Sequence, residues 1–408
     1  MNKASISVCM LSNLYPPVVS GSSTQLVSLS RELAQRSCQT VVITAKVAED
    51  SEEYEEVDGV CVYRLPAIRL PKMPISLNFP WLSYTLTPRN LRRIESIINR
   101  HNPDVLHLHN HMFDLALCAV LMRKRNKRPL VITIHTVIKH ARNFYNLLLY
   151  PADRMFLKHL VINQADALVC PDLNIKGYVR DAFGKFDVAL VPYGISLPET
   201  SVKEWVKLLR TKYHLNGKRV ILSLGHVHEI RNRKDLIEAL PSILEVFPNT
   251  VLLIVGTVAD NSSAVLARKL KVHKSVIFTG HVPHSEVPAF LALADLEAHW
   301  LNQDAAKKTS LGIASLEAMA AGKVALAAAN ENTYGPGVLR TGENIVLIDP
   351  GNPGHLAQTI VGLLSDSERC RAIGERARQT IQEHFSWDSV CSRTLDVYRE
   401  VLRKRACQ

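Results

Sequence analysis

Apolar residues fall along the chain in short continuous runs, and helical periodicities separate them. The first run, ISVCMLS (residues 6–12), leads into the turn-rich YPPVVSGSS, then Leu26, Leu29 and Leu33 at helical spacing, then VVIT (41–44). Strand, helix and strand in that order predict a β-α-β unit of a parallel sheet. Further strand-like runs are DVLHLH (104–109), LVITIH (130–135), ALVC (167–170) and VALVPYG (188–194). Between two of these runs a helix is predicted, with Thr87 as N-cap, Pro88 at its first position, and Leu91, Ile94 and Ile98 on one face.

A polar segment at roughly 196–217 interrupts the rhythm, and a second series follows: RVILSLG (219–225), TVLLIVG (250–256), SVIFTG (275–280), VALAAAN (324–330) and NIVLID (344–349). Two α/β halves joined near residue 200 is the economical reading. The expected divisions are 1–200, 201–384, and a terminal helix over 385–408.

Length agrees with this picture, since 408 residues suffice for two cores. Hydrophobic content of 47% with 21% charged residues describes a globular chain. The net charge of +11 favours phosphate-bearing partners. Eight cysteines are scattered without Cys-x-x-Cys or metal spacing, which suggests free thiols in a reducing compartment. The start of the chain lacks signal-peptide character, and no apolar run reaches the ~18 residues of a spanning helix, so a cytoplasmic protein is expected. Nucleic-acid binding is disfavoured, because aromatics make up 6% and no helix-turn-helix or finger pattern occurs. There is no G-x-G-x-x-G after the first strand and no G-x-x-x-x-G-K, which argues against dinucleotide and P-loop enzymes.

Open parallel sheets bind ligands at the carboxyl ends of their strands, so the residues after each run are the candidates. In the first half these include Ser20 to Ser23, His107, His109, His111, His135 and Pro192 to Gly194. In the second they include His226, Arg231, Gly280, His281, Val282 and the stretch KKTSLGIASLEAMAAGK (307–323). Glu317 is the one carboxylate in that stretch, within a helix that otherwise reads as buried. A buried carboxylate without a partner is costly, so a ligand-binding role competes favourably with that of a solvated surface glutamate. HLHNH could form a metal site, since alternate strand residues share a face, yet no carboxylate or cysteine nearby completes it, and no metal is expected.

YPPVVSGSSTQLVSLSRELAQRSCQTVVIT, VPYGIS, RKDLIEALP, VIFTGHVP and LGIASLEAMAAGK stand in the order and spacing of retaining glycosyltransferases of the GT-B fold. The chain resembles their large family 4 from about residue 6 to the FSWDSV near 385. The resemblance implies two Rossmann-like parallel-sheet domains facing a central cleft, with the nucleotide-sugar donor mainly on the second and the acceptor on the first. The terminal helix would cross back to the first domain. It implies no metal and no cofactor beyond the donor substrate, the diphosphate being met by basic side chains and helix N-terminal amides.

Residue by residue, Glu317 matches the second glutamate of the family's Glu-x7-Glu motif and would accept hydrogen bonds from the ribose. The first glutamate should stand at Thr309, and it is absent. Thr309, Ser310, Leu311, Gly312 and Ile313 would line the donor at the start of the helix. Arg231 occupies the lysine position and His226 the arginine position of the diphosphate-gripping pair, and Lys234 could share that role. Gly21 matches the second of two glycines near the donor phosphates, with Ser20 in place of the first. His135 would reach the donor sugar or the reaction centre, or else serve as a structural histidine. Gly280, His281 and Val282 match a loop whose backbone receives the base.

Two stretches on the first half, 64–93 and 142–160, mix basic and apolar residues. They would either rest on an anionic membrane face and meet a lipid-linked or glycan acceptor, or pack as an acceptor lid. Thr309 and His226 leave open a non-transferring nucleotide-sugar-binding protein, and an epimerase or hydrolase is a further alternative.

Overall fold

The computed structural model describes residues 6–18, 20–69, 83–140, 143–185, 187–197, 202–225, 233–258, 260–301 and 311–407. The chain forms two compact units. One comprises Met1–Gly194 with Val390–Gln408, and the other Ile195–Ser389.

The first unit is built on an eight-stranded sheet in the order Ala189–Leu190, Ala167–Cys170, Leu130–Thr133, Val105–His109, Ser7–Ser12, Gln39–Lys46, Val60–Pro66 and Tyr54–Val57. All neighbours run parallel except the last, which is antiparallel. The inner strands are buried on both faces, which is why they read as unbroken apolar runs. The helix Pro88–His101 starts as the sequence predicts, with the Thr87 hydroxyl accepting from the Asn90 amide at 3.2 Å. Its Ile94 and Ile98 are buried in the core, and Leu91 packs on it part-buried.

The second unit carries a six-stranded parallel sheet in the order Val276–Phe278, Thr250–Val255, Arg219–Leu224, Leu296–Trp300, Val324–Ala327 and Val346–Leu347. The polar segment after residue 196 is not loop throughout, because Lys203–Lys212 is helical and buries Leu209. The strands Tyr54–Val57, Val60–Pro66 and Leu296–Trp300 were not among the predicted runs, and the run at 188–194 is extended in the sheet only at Ala189–Leu190. In each sheet the chain order reverses once near the middle. The reversals lie between Ser7–Ser12 and Val105–His109, and between Arg219–Leu224 and Leu296–Trp300. Such switch points open a crevice at the strand ends, where loops diverge.

Candidate functional site

The switch point of the second unit gathers polar groups that an apolar sheet would otherwise exclude. Ser223 lies next to the end of its strand, and Gly225 follows that strand with φ of +127°. The Arg233 guanidinium is buried there. Its Nε donates to the Ser223 hydroxyl at 3.0 Å, and an Nη donates to the Gly225 carbonyl at 2.7 Å. On the adjoining strand Glu297 is fully buried, and its carboxylate accepts from the Ser315 hydroxyl at 3.2 Å. The helix Arg233 precedes is tied down by Asp235, which accepts from the Gly351 amide at 2.6 Å.

Gly312 is the N-cap of the helix Ile313–Ala320, in extended backbone at φ −64°, ψ 145°. Its carbonyl accepts from the Ser315 and Leu316 amides, and Gly312 itself brings no side chain to cap the helix. The helix start therefore places the Ile313 and Ala314 amides at the positive end of the helix dipole. The other end closes as a Schellman turn, with Gly322 at φ +68° and bonds from its amide to Met319 and from Lys323 to Ala318. Leu311, Leu316, Ala318 and Met319 are buried, which seats the helix on the core.

Glu317 stands between two of these anchors with its side chain 18% exposed. Among the described residues its carboxylate has one partner, His284, whose Nε2 lies 2.8 Å from Oε1. Hydrogen bonding to Glu317 raises the His284 pKa above the ordinary histidine value. His284 begins a one-turn 3-10 segment, His284–Glu286, directly after the loop of Gly280, His281, Val282 and Pro283. Gly280 takes φ +74°, and its carbonyl accepts from the Gly256 amide at 3.0 Å. Val282 packs part-buried on the core, and His281 is exposed.

His226, Arg231, Thr309 and Ser310 lie outside the described residues. Lys234 is exposed and sits 3.7 Å from Glu238 one turn along its own helix. Arg233, which is not among the sequence candidates, is a cation that turns in to the strand ends. No spacing rule marks it out within RNRK, because which of these cations turns inward is set by the helix start.

In the first unit Gly21 is the first residue of the helix Gly21–Gln35, and Ser20 is its N-cap. Ser20 and Ser23 form a reciprocal capping box at 3.1 and 2.8 Å, so the serine at the expected glycine position holds the helix start. His135 follows the strand Leu130–Thr133. Its Nε2 meets His109 Nδ1 at 3.0 Å and its Nδ1 meets the Tyr193 hydroxyl at 3.1 Å. Burial pushes its pKa down to about 4, so the ring is neutral at pH 7. His107 bonds Tyr398 and Thr133, each at 2.7 Å, and burial lowers it to about 3. Among the described residues no group of three or more His, Cys, Asp or Glu is arranged to hold a metal.

The helical run Asn143–Leu160, with a π segment at Ala152–Leu157, has its polarity reversed. The residues it buries are polar. Asn146 bonds the His140 backbone through both amide atoms, at 2.7 and 3.0 Å, and Asp153 accepts from Tyr178 and lies 3.1 Å from His111 Nε2. Phe144, Leu147, Leu148, Met155, Phe156 and Leu160 are each between 51% and 76% exposed. Large apolar surface gathered on one element marks an interaction face.

Two parallel sheets, each with one switch point, define an α/β protein of two Rossmann-like domains. The family model described as Glycosyltransferase Family 4 matches residues 19–198, and the model described as Glycosyl transferases group 1 matches residues 207–380. Between them they span most of the chain, which belongs to the family-4 glycosyltransferases and has the GT-B fold. It is 23% identical over 402 residues to the N-acetyl-alpha-D-glucosaminyl L-malate synthase of Bacillus anthracis, covering 95% of this chain and 96% of that one. It is 24% identical over 330 residues to the alpha-monoglucosyldiacylglycerol synthase of Streptococcus pneumoniae, covering 79% and 70%. Among solved structures, HepE of Anabaena in complex with UDP and glucose superposes with a TM-score of 0.70 at 17% identity, over 97% of this chain and 100% of that one. A glycosyltransferase from Rickettsia africae gives 0.74 at 16%, over 98% and 99%.

Proposed function

We propose that this glycosyltransferase moves a sugar from a nucleotide-diphosphate sugar to an acceptor hydroxyl with retention at the anomeric carbon and without a metal. The observation that carries the donor half is Glu317. It is a carboxylate on an apolar helix, about 7.5 Å along the axis from the N-cap Gly312, the scale separating a ribose from its diphosphate. The ribose would take the carboxylate while the diphosphate lies at the amides after Gly312. Arg231, His226 and Lys234 would supply the counter-charge in place of a metal. Transfer would run on one face of the sugar through an oxocarbenium-like state, the departing phosphate receiving the acceptor's proton. His135 is neutral with both ring nitrogens engaged, so it would contact the sugar only by exchanging its bond to His109 or Tyr193.

Glu317→Ala should weaken nucleotide binding by about 1–3 kcal/mol, the scale of a hydrogen bond to a charged group. A thermal-shift panel of UDP, GDP, ADP and CDP on wild type and variant checks this, since ligand at 100 times its dissociation constant adds about 2.7 kcal/mol. A shift with one base that the variant loses supports the donor site. Equal shifts in both proteins would remove Glu317 from it. Nucleotide binding without acceptor turnover would favour a non-transferring binder, which the threonine at position 309 makes the alternative to test. Product formed without any acceptor would favour an epimerase or hydrolase.

For the acceptor, the proposal is a lipid-linked or glycan hydroxyl at an anionic membrane face. The reversed helix supports it. Its apolar residues face out, and its exposed charges, Arg154 and part-exposed Lys158, are both positive, while its one acid, Asp153, is buried. Flotation with vesicles of phosphatidylglycerol and phosphatidylcholine is expected to recover the wild type. Replacing Phe144, Leu147 and Leu148 by serine should abolish recovery, each side chain being worth about 1.5–3 kcal/mol when fully buried. Failure of the wild type to float would sink the membrane reading and leave the donor reading intact.

A further inference from the structure

We propose that His284 is a positioning residue for the ribose: it holds the Glu317 carboxylate in the orientation that meets both ribose hydroxyls, and so sets a preference for ribonucleotides over 2′-deoxyribonucleotides. The inference rests on the reading of Glu317 as the ribose acceptor.

Three observations meet at this pair. The first is connectivity, because His284 directly follows the loop from Gly280 to Pro283. The loop assigned to the base edge is thereby coupled to the carboxylate assigned to the ribose, across 33 positions of sequence. The second is acceptor capacity. An ionised carboxylate offers about four lone-pair sites, and the single bond to Oε1 leaves Oε2 and part of Oε1 for two hydroxyl donors. The third is exposure. The His284 side chain is 77% exposed, whereas that of Glu317 is 18% exposed.

A pair so exposed on one side contributes little to folding, because water solvates the imidazole as well as the carboxylate does. What the bond does accomplish is to fix a side chain with three rotatable bonds before the nucleotide arrives. Glutamate otherwise loses that rotamer freedom on binding, and the loss is subtracted from affinity. A carboxylate only accepts, so His284 must carry its proton on Nε2, in the neutral ring as in the charged one. The orientation therefore survives loss of the second proton. The elevated pKa of His284 agrees with the geometry.

The test compares UDP with dUDP and GDP with dGDP by titration calorimetry on the full-length protein. Wild type should favour the ribonucleotide of its preferred base by about tenfold or more. His284→Ala should cut that ratio by about threefold or more with the melting temperature unmoved, and His284→Gln, which returns an N–H donor at similar reach, should restore it. An unchanged ratio in His284→Ala overturns the inference. So does a gain in ribonucleotide affinity, which would make His284 a competitor of the ribose. Glu317→Ala separates the two levels. If it leaves the ratio unchanged, or if wild type binds neither pair, the ribose reading itself fails and the inference with it. If it collapses the ratio while His284→Ala does not, only the role of His284 fails.

Discussion

Asp153→Ala is expected to destabilise the first unit by about 3–5 kcal/mol, the range for removing one partner from a buried polar pair. Asp153 and His111 are both almost fully buried, and the carboxylate takes His111 on one oxygen and the Tyr178 hydroxyl on the other. Burial, with Asp153 beside it, holds the Tyr178 phenol well above its ordinary pKa, so it donates and does not ionise. Alanine strands both donors where water cannot replace the lost acceptor. Among the described residues His111 Nδ1 has no hydrogen-bond partner, so losing Asp153 would leave both ring nitrogens unmet. At about 2–4 °C per kcal/mol the melting point should fall by about 6–20 °C, and Asp153→Asn, which keeps one acceptor oxygen, should cost less. The same change should loosen the helical run Asn143–Leu160 at its C-terminal half, leaving Asn146 and Leu157 as its remaining holds. Limited proteolysis within that run should accelerate in the alanine variant. A melting curve like that of wild type would mean that the outward apolar face, and not the buried aspartate, fixes this segment.

The sheets were largely legible in the sequence because parallel strands covered on both faces must be apolar throughout. The runs at 6–12, 219–225 and 250–256 coincide with strands to within a residue. The strands that escaped notice are those that break the rule. Tyr54–Val57 is an edge strand that is mostly exposed, so its glutamates are at home. Leu296–Trp300 is central but carries the buried Glu297, which a hydroxyl from a different element meets. Terminal trimming has a simpler cause: Ala328 and Ala329 continue an apolar run after the neighbouring strand Val346–Leu347 has stopped pairing.

The candidate site divides in the same way. Glu317 could be singled out because a charge in an apolar helix conflicts with its local context, and such conflicts concentrate at functional positions. Gly312 was visible as the start of an alanine-rich helix, and the Gly280 loop as a break after a strand. Arg233 and His284 were not, since each acquires meaning only from a partner on another element. Spacing within RNRK or GHVPH cannot show that one residue turns inward to Gly225 and another reaches a carboxylate on a later helix. Position 309 is informative in the opposite sense. Its threonine is plain in the sequence, and with Ser20 and His226 it is one of the positions where this chain departs from the family pattern.

Gly374→Ala should be among the most damaging single-methyl additions in the second unit, at about 3 kcal/mol or more. A Cβ at this position would lie 2.0 Å from the Gly322 carbonyl oxygen and 2.8 Å from its carbon. Both are backbone atoms, so no rotamer change relieves the overlap. The helix Ser367–Thr380 would have to lift away, or the Gly322 turn would have to open. The turn resists, being held by two hydrogen bonds in a left-handed conformation that favours glycine. Alanine's better helix propensity returns about 1 kcal/mol and does not offset the clash. Gly362, in the helix Pro353–Ser365, is the internal control: a Cβ there meets nothing within 4 Å, and Gly362→Ala should be neutral or stabilising by up to about 1 kcal/mol. The functional consequence follows from what the turn terminates. It closes the helix Ile313–Ala320, so a shift at Gly322 moves the element that carries Glu317 and presents the amides after Gly312. Melting curves of the two variants, each with and without the nucleotide that stabilises wild type, separate the effects. Gly374→Ala should lose stability and most of the nucleotide-induced shift together, while Gly362→Ala keeps both. A stable Gly374→Ala protein with a full nucleotide shift would show that the close approach of these two backbones has no part in holding the donor site.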